Sequence, residues 1–133
     1  MIFQNLYSNF GKKSEITMKT TTISIPVCIK DEAELTAQET QLLKEAKQAT
    51  YRSYSPYSHF SVGAAVELDD GTLVSGSNQE NAAYPSGLCA ERTTVFYANS
   101  RYPDVAVRRI CIAARDTSGQ FCRRPIPPCG ACR

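Results

Sequence analysis

Two short stretches carry the residues best suited to chemistry, Cys89-Ala90-Glu91 and Pro128-Cys129-Gly130-Ala131-Cys132. Cys129 and Cys132 are three residues apart, so a first helical turn would point both thiols at one place. Cys89, at the start of a second helix, would complete a three-sulfur set. Zinc takes four ligands and binds thiolate at about 2.3 Å. Three protein ligands leave the fourth position to water, which marks a catalytic rather than a structural site. Helix N-termini aimed at one metal also favour thiolate over thiol.

Glu91 stands two residues past the first of these thiols. On a helix that spacing is about 200° around the axis, so Glu91 is not a ligand beside Cys89. In a first turn its carboxylate can still lean over a bound water and move its proton. Zinc lowers the pKa of such a water toward neutrality. Three thiolates give the metal a net negative surrounding, which a neighbouring cation would offset. Arg92 is the candidate, as a donor to the cysteine sulfurs. A surface salt bridge is an equal alternative for it.

The six cysteines, Cys28, Cys89, Cys111, Cys122, Cys129 and Cys132, also fit a secreted disulfide framework. That reading needs a leader, and Met1 to Met18 has neither a cationic start nor a compact apolar run. A reduced, cytoplasmic chain that holds a metal is favoured. A structural zinc knot remains open, with Cys28 or Cys122 as the closing ligand. Cys111 lies in the apolar run Arg109–Ala114 and reads as core.

The elements that must position these groups follow from local signals. Thr36-Ala-Gln-Glu39 is a capping box, and Leu42, Leu43, Ala46 and Ala49 continue one helical face until the chain meets Tyr54-Ser55-Pro56. Ser61 to Leu68 reads as a buried strand, Asp69-Asp70-Gly71 as a hairpin turn, and Thr72 to Gly76 as the returning strand. A helix is expected from near Leu88 through Ala98, then a strand over Arg109–Ala114, then a helix start at Cys129. Such an order predicts one α/β domain with helices packed on a sheet. Residues 1–17 read as a disordered extension ahead of a domain over 18–133, with Met18 as a second possible start. Ile23, Ile25, Val27 and Ile29 alternate weakly, but Pro26 argues against a strand.

The 133 residues suit one core, and 42% are hydrophobic against 21% charged. A net charge of +2 is too small to argue for a nucleic-acid or membrane partner. No apolar run is long enough to span a bilayer.

Four motifs in order resemble the small homotetrameric cytidine deaminases. They are Tyr57-Ser-His-Phe60-Ser-Val-Gly-Ala-Ala, Asn78-Gln-Glu80-Asn81-Ala-Ala-Tyr84, Cys89-Ala-Glu91-Arg92-Thr93 and Pro128-Cys-Gly-Ala-Cys-Arg133. The resemblance runs from about Leu42 to Arg133. It implies a three-layer α-β-α sandwich around a mixed sheet, and one Zn²⁺ on Cys89, Cys129 and Cys132. It also implies hydrolysis of cytidine and deoxycytidine to uridine, deoxyuridine and ammonia, with Glu91 as the catalytic acid–base. Phe60 would stack on the pyrimidine. Asn78 and Glu80 would bond the ribose 3′-hydroxyl, and the backbone at Ala90, with Glu91, would read the base edge. Tyr84 would lie near a subunit boundary.

Three of the substrate residues have a plainer alternative: core packing for Phe60, a polar loop for Asn78 and Glu80. Ser61 stands where the family often carries proline, and His59 reads as a surface residue and not a ligand. The family continues past the position of Cys132 for a few dozen residues, so C-terminal elements of that fold are expected to be missing. A blasticidin-S-type aminopyrimidine nucleoside deaminase and an inactive zinc-binding fragment are the alternatives. A polynucleotide deaminase is disfavoured by the missing basic surplus.

Overall fold

The computed structural model describes residues 20–24 and 26–133. The extension read over 1–17, the possible start at Met18 and Ile25 lie outside the described residues. The described part of 20–30 forms neither helix nor strand.

Helix α1 spans Ala37–Ala49. Its capping box forms as expected: the Thr36 hydroxyl accepts from the Glu39 amide at 3.2 Å, and the Glu39 carboxylate accepts from the Thr36 amide at 2.8 Å. The Thr36 amide, followed by Lys30, holds the Glu39 carboxyl down at about 2. This contribution is complete above the ordinary value of 4.5 and is lost as pH falls toward about 2. Thr36→Ala is expected to destabilise the protein by about 1 kcal/mol in a denaturant titration. No change in the midpoint would show that the cap is not formed in solution.

The helix stops earlier than the proline signal suggests, passing into a 3-10 turn over Thr50–Arg52. One local and one tertiary partner take carbonyls at this end. The Thr50 hydroxyl donates to the Lys47 carbonyl at 2.7 Å, and Arg115 donates to the Thr50 hydroxyl at 2.9 Å and carbonyl at 3.1 Å. The Arg115 guanidinium also lies 4.0 Å from the centre of the Tyr51 ring, a cation–π contact.

Strand β1 covers Ser61–Leu68, as the sequence predicts, and β2 covers Leu73–Ser77. Gly71 takes the left-handed conformation in the turn between them, at φ +84°. Helix α2 runs over Ala90–Arg101, and β3 over Val107–Arg115. Cys129 does not open a regular helix. It starts one turn, with the amides of Cys132 and Arg133 donating to its carbonyl at 3.1 and 3.2 Å.

The sheet order is β2-β1-β3, antiparallel throughout. β2 and β3 run the same way, but β1 lies between them. No parallel ladder therefore forms among the described strands, and the expected mixed character is not seen in this part of the sheet. The layering is as expected. Successive β1 side chains face opposite sides. Ala65 joins Leu42 and Ala46 of α1 and Ala113 of β3 in one cluster. Val66 and Leu68 join Val74 of β2 and Ala98 of α2 in the other. Small residues let both helices approach closely: Gly63 lies against the backbone of α1, and Gly76 against Thr94 of α2. No helix among the described residues is long and apolar enough to cross a membrane.

Candidate functional site

Cys89 is the N-cap of α2, in extended conformation with φ −67° and ψ 155°. Its position is fixed from both sides. Upstream, Leu88 and Gln79 exchange two backbone hydrogen bonds of 2.8 and 2.9 Å. Downstream, the Cys89 carbonyl accepts from the Thr93 amide at 3.0 Å and hydroxyl at 3.1 Å. The buried Thr94 hydroxyl donates to the Ala90 carbonyl at 2.7 Å and locks the first turn.

The structure brings the three expected thiols together. Cys89 Sγ is 3.5 Å from Cys129 Sγ, Cys129 Sγ is 3.5 Å from Cys132 Sγ, and all three sulfurs lie within 4.8 Å of one another. Tetrahedral zinc with bonds of about 2.3 Å needs sulfurs about 3.8 Å apart. The spacing and soft donor set thus fit one Zn²⁺. Cys28 and Cys122 are not members of the cluster, so neither closes it as a fourth ligand.

The thiols also act on one another's protonation. Hydrogen bonding from the Cys132 thiol and backbone, and then from Cys89, brings Cys129 down to about 7. Burial, followed by the Cys129 contact and the nearby Glu91 charge, pushes Cys132 up to about 12. Zinc must displace these protons. Affinity is therefore expected to weaken at least about tenfold per pH unit on acidification, and more steeply below pH 7, where Cys129 also binds a proton. Competition against a chromophoric chelator between pH 6 and 8 measures this. A flat profile would contradict thiolate ligation.

A cavity of about 840 Å³ opens beside the sulfurs, and its wall includes Phe60, Asn78, Glu80, Cys89, Glu91 and Cys129. Ala90, buried in the first turn of α2, and Tyr84 also line it. Tyr84 is 89% exposed at the rim. Glu91, on the second residue of α2, faces the cluster closely enough for its charge to act on Cys132. Arg92 lies beside it, but its guanidinium donates to the Gly87 carbonyl at 3.1 Å, and its buried Nε has no partner. Among the described residues Arg92 has no hydrogen bond to sulfur. His59 is exposed, with φ +54°, and is not in the thiol cluster.

The polar end of the cavity is built by the loop before β1. Glu80 Oε2 accepts from the amides of Tyr57 at 2.9 Å and Ser58 at 3.3 Å. These bonds, with the Ser58 hydroxyl as the largest influence, hold the Glu80 carboxyl below its ordinary range. Asn78 Oδ1 accepts from the Val62 amide at 2.8 Å, and Asn78 Nδ2 donates to the Phe60 carbonyl at 3.0 Å. Ser53 was not visible as a site residue in the sequence, yet its hydroxyl donates to Asn78 Oδ1 at 2.6 Å. The pairing depends on a parallel bridge between Tyr54 and Gln79, which no local signal announces.

Residues 36–133 match the family described as the cytidine and deoxycytidylate deaminase zinc-binding region. A cytidine deaminase of Halalkalibacterium halodurans is 47% identical over 94 residues, 69% of this chain and 64% of that one. One from Sporosarcina psychrophila is 44% identical over 93 residues, 70% of this chain and 63% of that one. This chain thus spans just under two thirds of the length of these relatives. The crystal structure of the Burkholderia pseudomallei cytidine deaminase is 38% identical, with a TM-score of 0.61, over 74% of this chain and 72% of that one. The fold, the three-thiol cluster and a match that covers the whole site agree, and the chain belongs to the cytidine and deoxycytidylate deaminase zinc-binding family.

Proposed function

We propose that this chain catalyses hydrolytic deamination of cytidine and deoxycytidine, giving uridine or deoxyuridine and ammonia. One observation carries the reading: the three-thiol cluster opens on a cavity that holds an unliganded carboxylate, Glu91, at one end and a sugar-suited polar pair, Asn78 and Glu80, at the other. Cys89, Cys129 and Cys132 would hold Zn²⁺, which when bound supplies a Lewis acid that makes water nucleophilic near neutral pH.

The chain's own residues do the rest. The Glu91 carboxylate takes up the proton that the water releases and delivers it to N3 of the pyrimidine. The water oxygen becomes the 4-carbonyl of the product. Glu91 moves a second proton to the departing amino group, so ammonia leaves and the carboxylate is restored. The Ala90 amide and Glu91 read the base edge, and Phe60 stacks on the ring. The spare Nδ2–H of Asn78 can donate to one sugar hydroxyl, and the spare Oε1 of Glu80 can accept from the same hydroxyl. The unpaired Nε of Arg92 is available to a thiolate.

The sugar pair, with Phe60, favours cytidine over a blasticidin-type nucleoside. The charge balance supports a free nucleoside over a polynucleotide. Thiol ligands suit the reducing cytoplasm, and the reaction would serve pyrimidine salvage. Tyr84, exposed at the cavity rim, suits completion of the site by a neighbouring chain in a homotetramer. Zinc content and the loss of cytidine absorbance, measured together, test the proposal. One zinc per chain with turnover supports it; one zinc with no turnover on cytidine or deoxycytidine rejects it.

A further inference from the structure

We propose that Ser53 is a positioning residue for sugar recognition, its hydroxyl orienting and polarising the Asn78 amide so that a single N–H is presented to substrate. The inference rests on the nucleoside reading of the cavity. It starts from a count of hydrogen-bonding capacity. Asn78 Oδ1 accepts from the Val62 amide at 2.8 Å and the Ser53 hydroxyl at 2.6 Å, which fills both lone pairs. Nδ2 donates one hydrogen to the Phe60 carbonyl at 3.0 Å. The backbone partners fix which end of the amide is oxygen, because the Val62 N–H can only donate and the Phe60 carbonyl can only accept. One N–H remains.

Ser53 has one hydroxyl hydrogen and two oxygen neighbours, Asn78 Oδ1 at 2.6 Å and Ser55 Oγ at 3.1 Å. An amide oxygen cannot donate, so the hydrogen goes to Asn78, and Ser55 donates to Ser53. Ser55 Oγ in turn lies 3.5 Å from Ser61 Oγ, at the first residue of β1. A half-buried row of hydroxyls thus ends on the amide oxygen. Donation to that oxygen draws electron density from the amide and strengthens its remaining N–H as a donor. Glu80 is arranged in the complementary sense, with Oε2 occupied by two backbone amides and Oε1 left to accept.

Calorimetric titration of the zinc-loaded Glu91→Gln chain, which consumes the nucleosides at least about a hundredfold more slowly, with cytidine and with 2′,3′-dideoxycytidine tests the role on binding alone. Ser53→Ala is expected to weaken cytidine binding about fivefold, the effect of one neutral hydrogen bond. It should leave dideoxycytidine, which lacks the sugar hydroxyl, within about twofold, and Ser53→Thr should restore cytidine binding. Equal weakening of both nucleosides, or no weakening, overturns the proposal. If the chain with Ser53 intact binds the two nucleosides equally in this background, the sugar reading of Asn78 and Glu80 fails, and the proposal with it. The side-chain amide proton resonances of Asn78 in the ligand-free chain separate the cases. A shift on Ser53→Ala supports the contact, and unchanged resonances overturn it.

Discussion

Glu91→Gln is expected to keep one zinc per chain and an unchanged melting temperature while lowering kcat by about 10²- to 10⁴-fold, the range for loss of a positioned acid–base. Glutamine preserves the shape of the side chain and its place on the second residue of α2, but it cannot take up a proton. The three thiols come from Cys89 and the Cys129–Cys132 turn and do not need the carboxylate. Removing its charge also relieves one of the influences that raise Cys132, so metal retention should not suffer. Metal analysis with steady-state kinetics checks this, and a Glu91→Gln protein turning over near the parent rate would refute the role. Cys129→Ala should behave in the opposite way, losing metal first and activity as a consequence.

Gly63→Ala is expected to be the most damaging glycine-to-alanine change among the described residues. A Cβ at this position would lie 2.2 Å from the Ala46 carbonyl oxygen and 2.6 Å from the Thr50 nitrogen. Both are backbone atoms of fully buried residues, so no side chain can rotate away and α1 must lift off β1. A loss of about 3 kcal/mol is expected. Gly76→Ala is milder by comparison, because its closest neighbour at 2.7 Å is the Thr94 hydroxyl, a side-chain atom. Thermal melts of the two variants measure the order, and equal losses would contradict the packing. The damage should reach the cavity too, because Val62, the neighbour of Gly63, donates the amide hydrogen bond to Asn78.

Local chemistry made the scaffold legible. The Thr36–Glu39 box, the apolar run Val62–Val66 within β1 and the Asp-Asp-Gly turn each encode their element within a few residues. The third strand was visible only over Arg109–Ala114 because its ends, Val107 and Arg115, owe their pairing to Leu68 and Ser61 of β1. The early end of α1 was hidden for the same reason, since Arg115, 65 residues away, supplies the donors. In the site, the cysteines and Glu91 were legible because metal ligation constrains residue type and spacing. Ser53, Ser55 and the Tyr57–Ser58 amides were not, because serine and backbone N–H groups carry no such constraint. Their role follows from the fold of the loop against Asn78–Glu80. Arg92 was legible as a cation beside the metal, but its bond to Gly87 depends on the loop before α2.

The stretch from Arg123 to Pro128 runs between the end of the sheet and the thiol turn, and its backbone amides donate no hydrogen bond among the described residues. Its near end is tied by the Arg115–Phe121 bridge and the Cys122 amide, and its far end by the sulfur cluster. A metal joining Cys89 to Cys129 therefore acts as a clasp across 40 residues of chain, a closure worth about 3 kcal/mol of chain entropy. That clasp makes residues 123–132 a separate opening unit. Its protection from proteases and from amide hydrogen exchange would track metal occupancy rather than the global stability of the sheet, and loss of zinc would unfasten residues 123–132 while the core stayed folded.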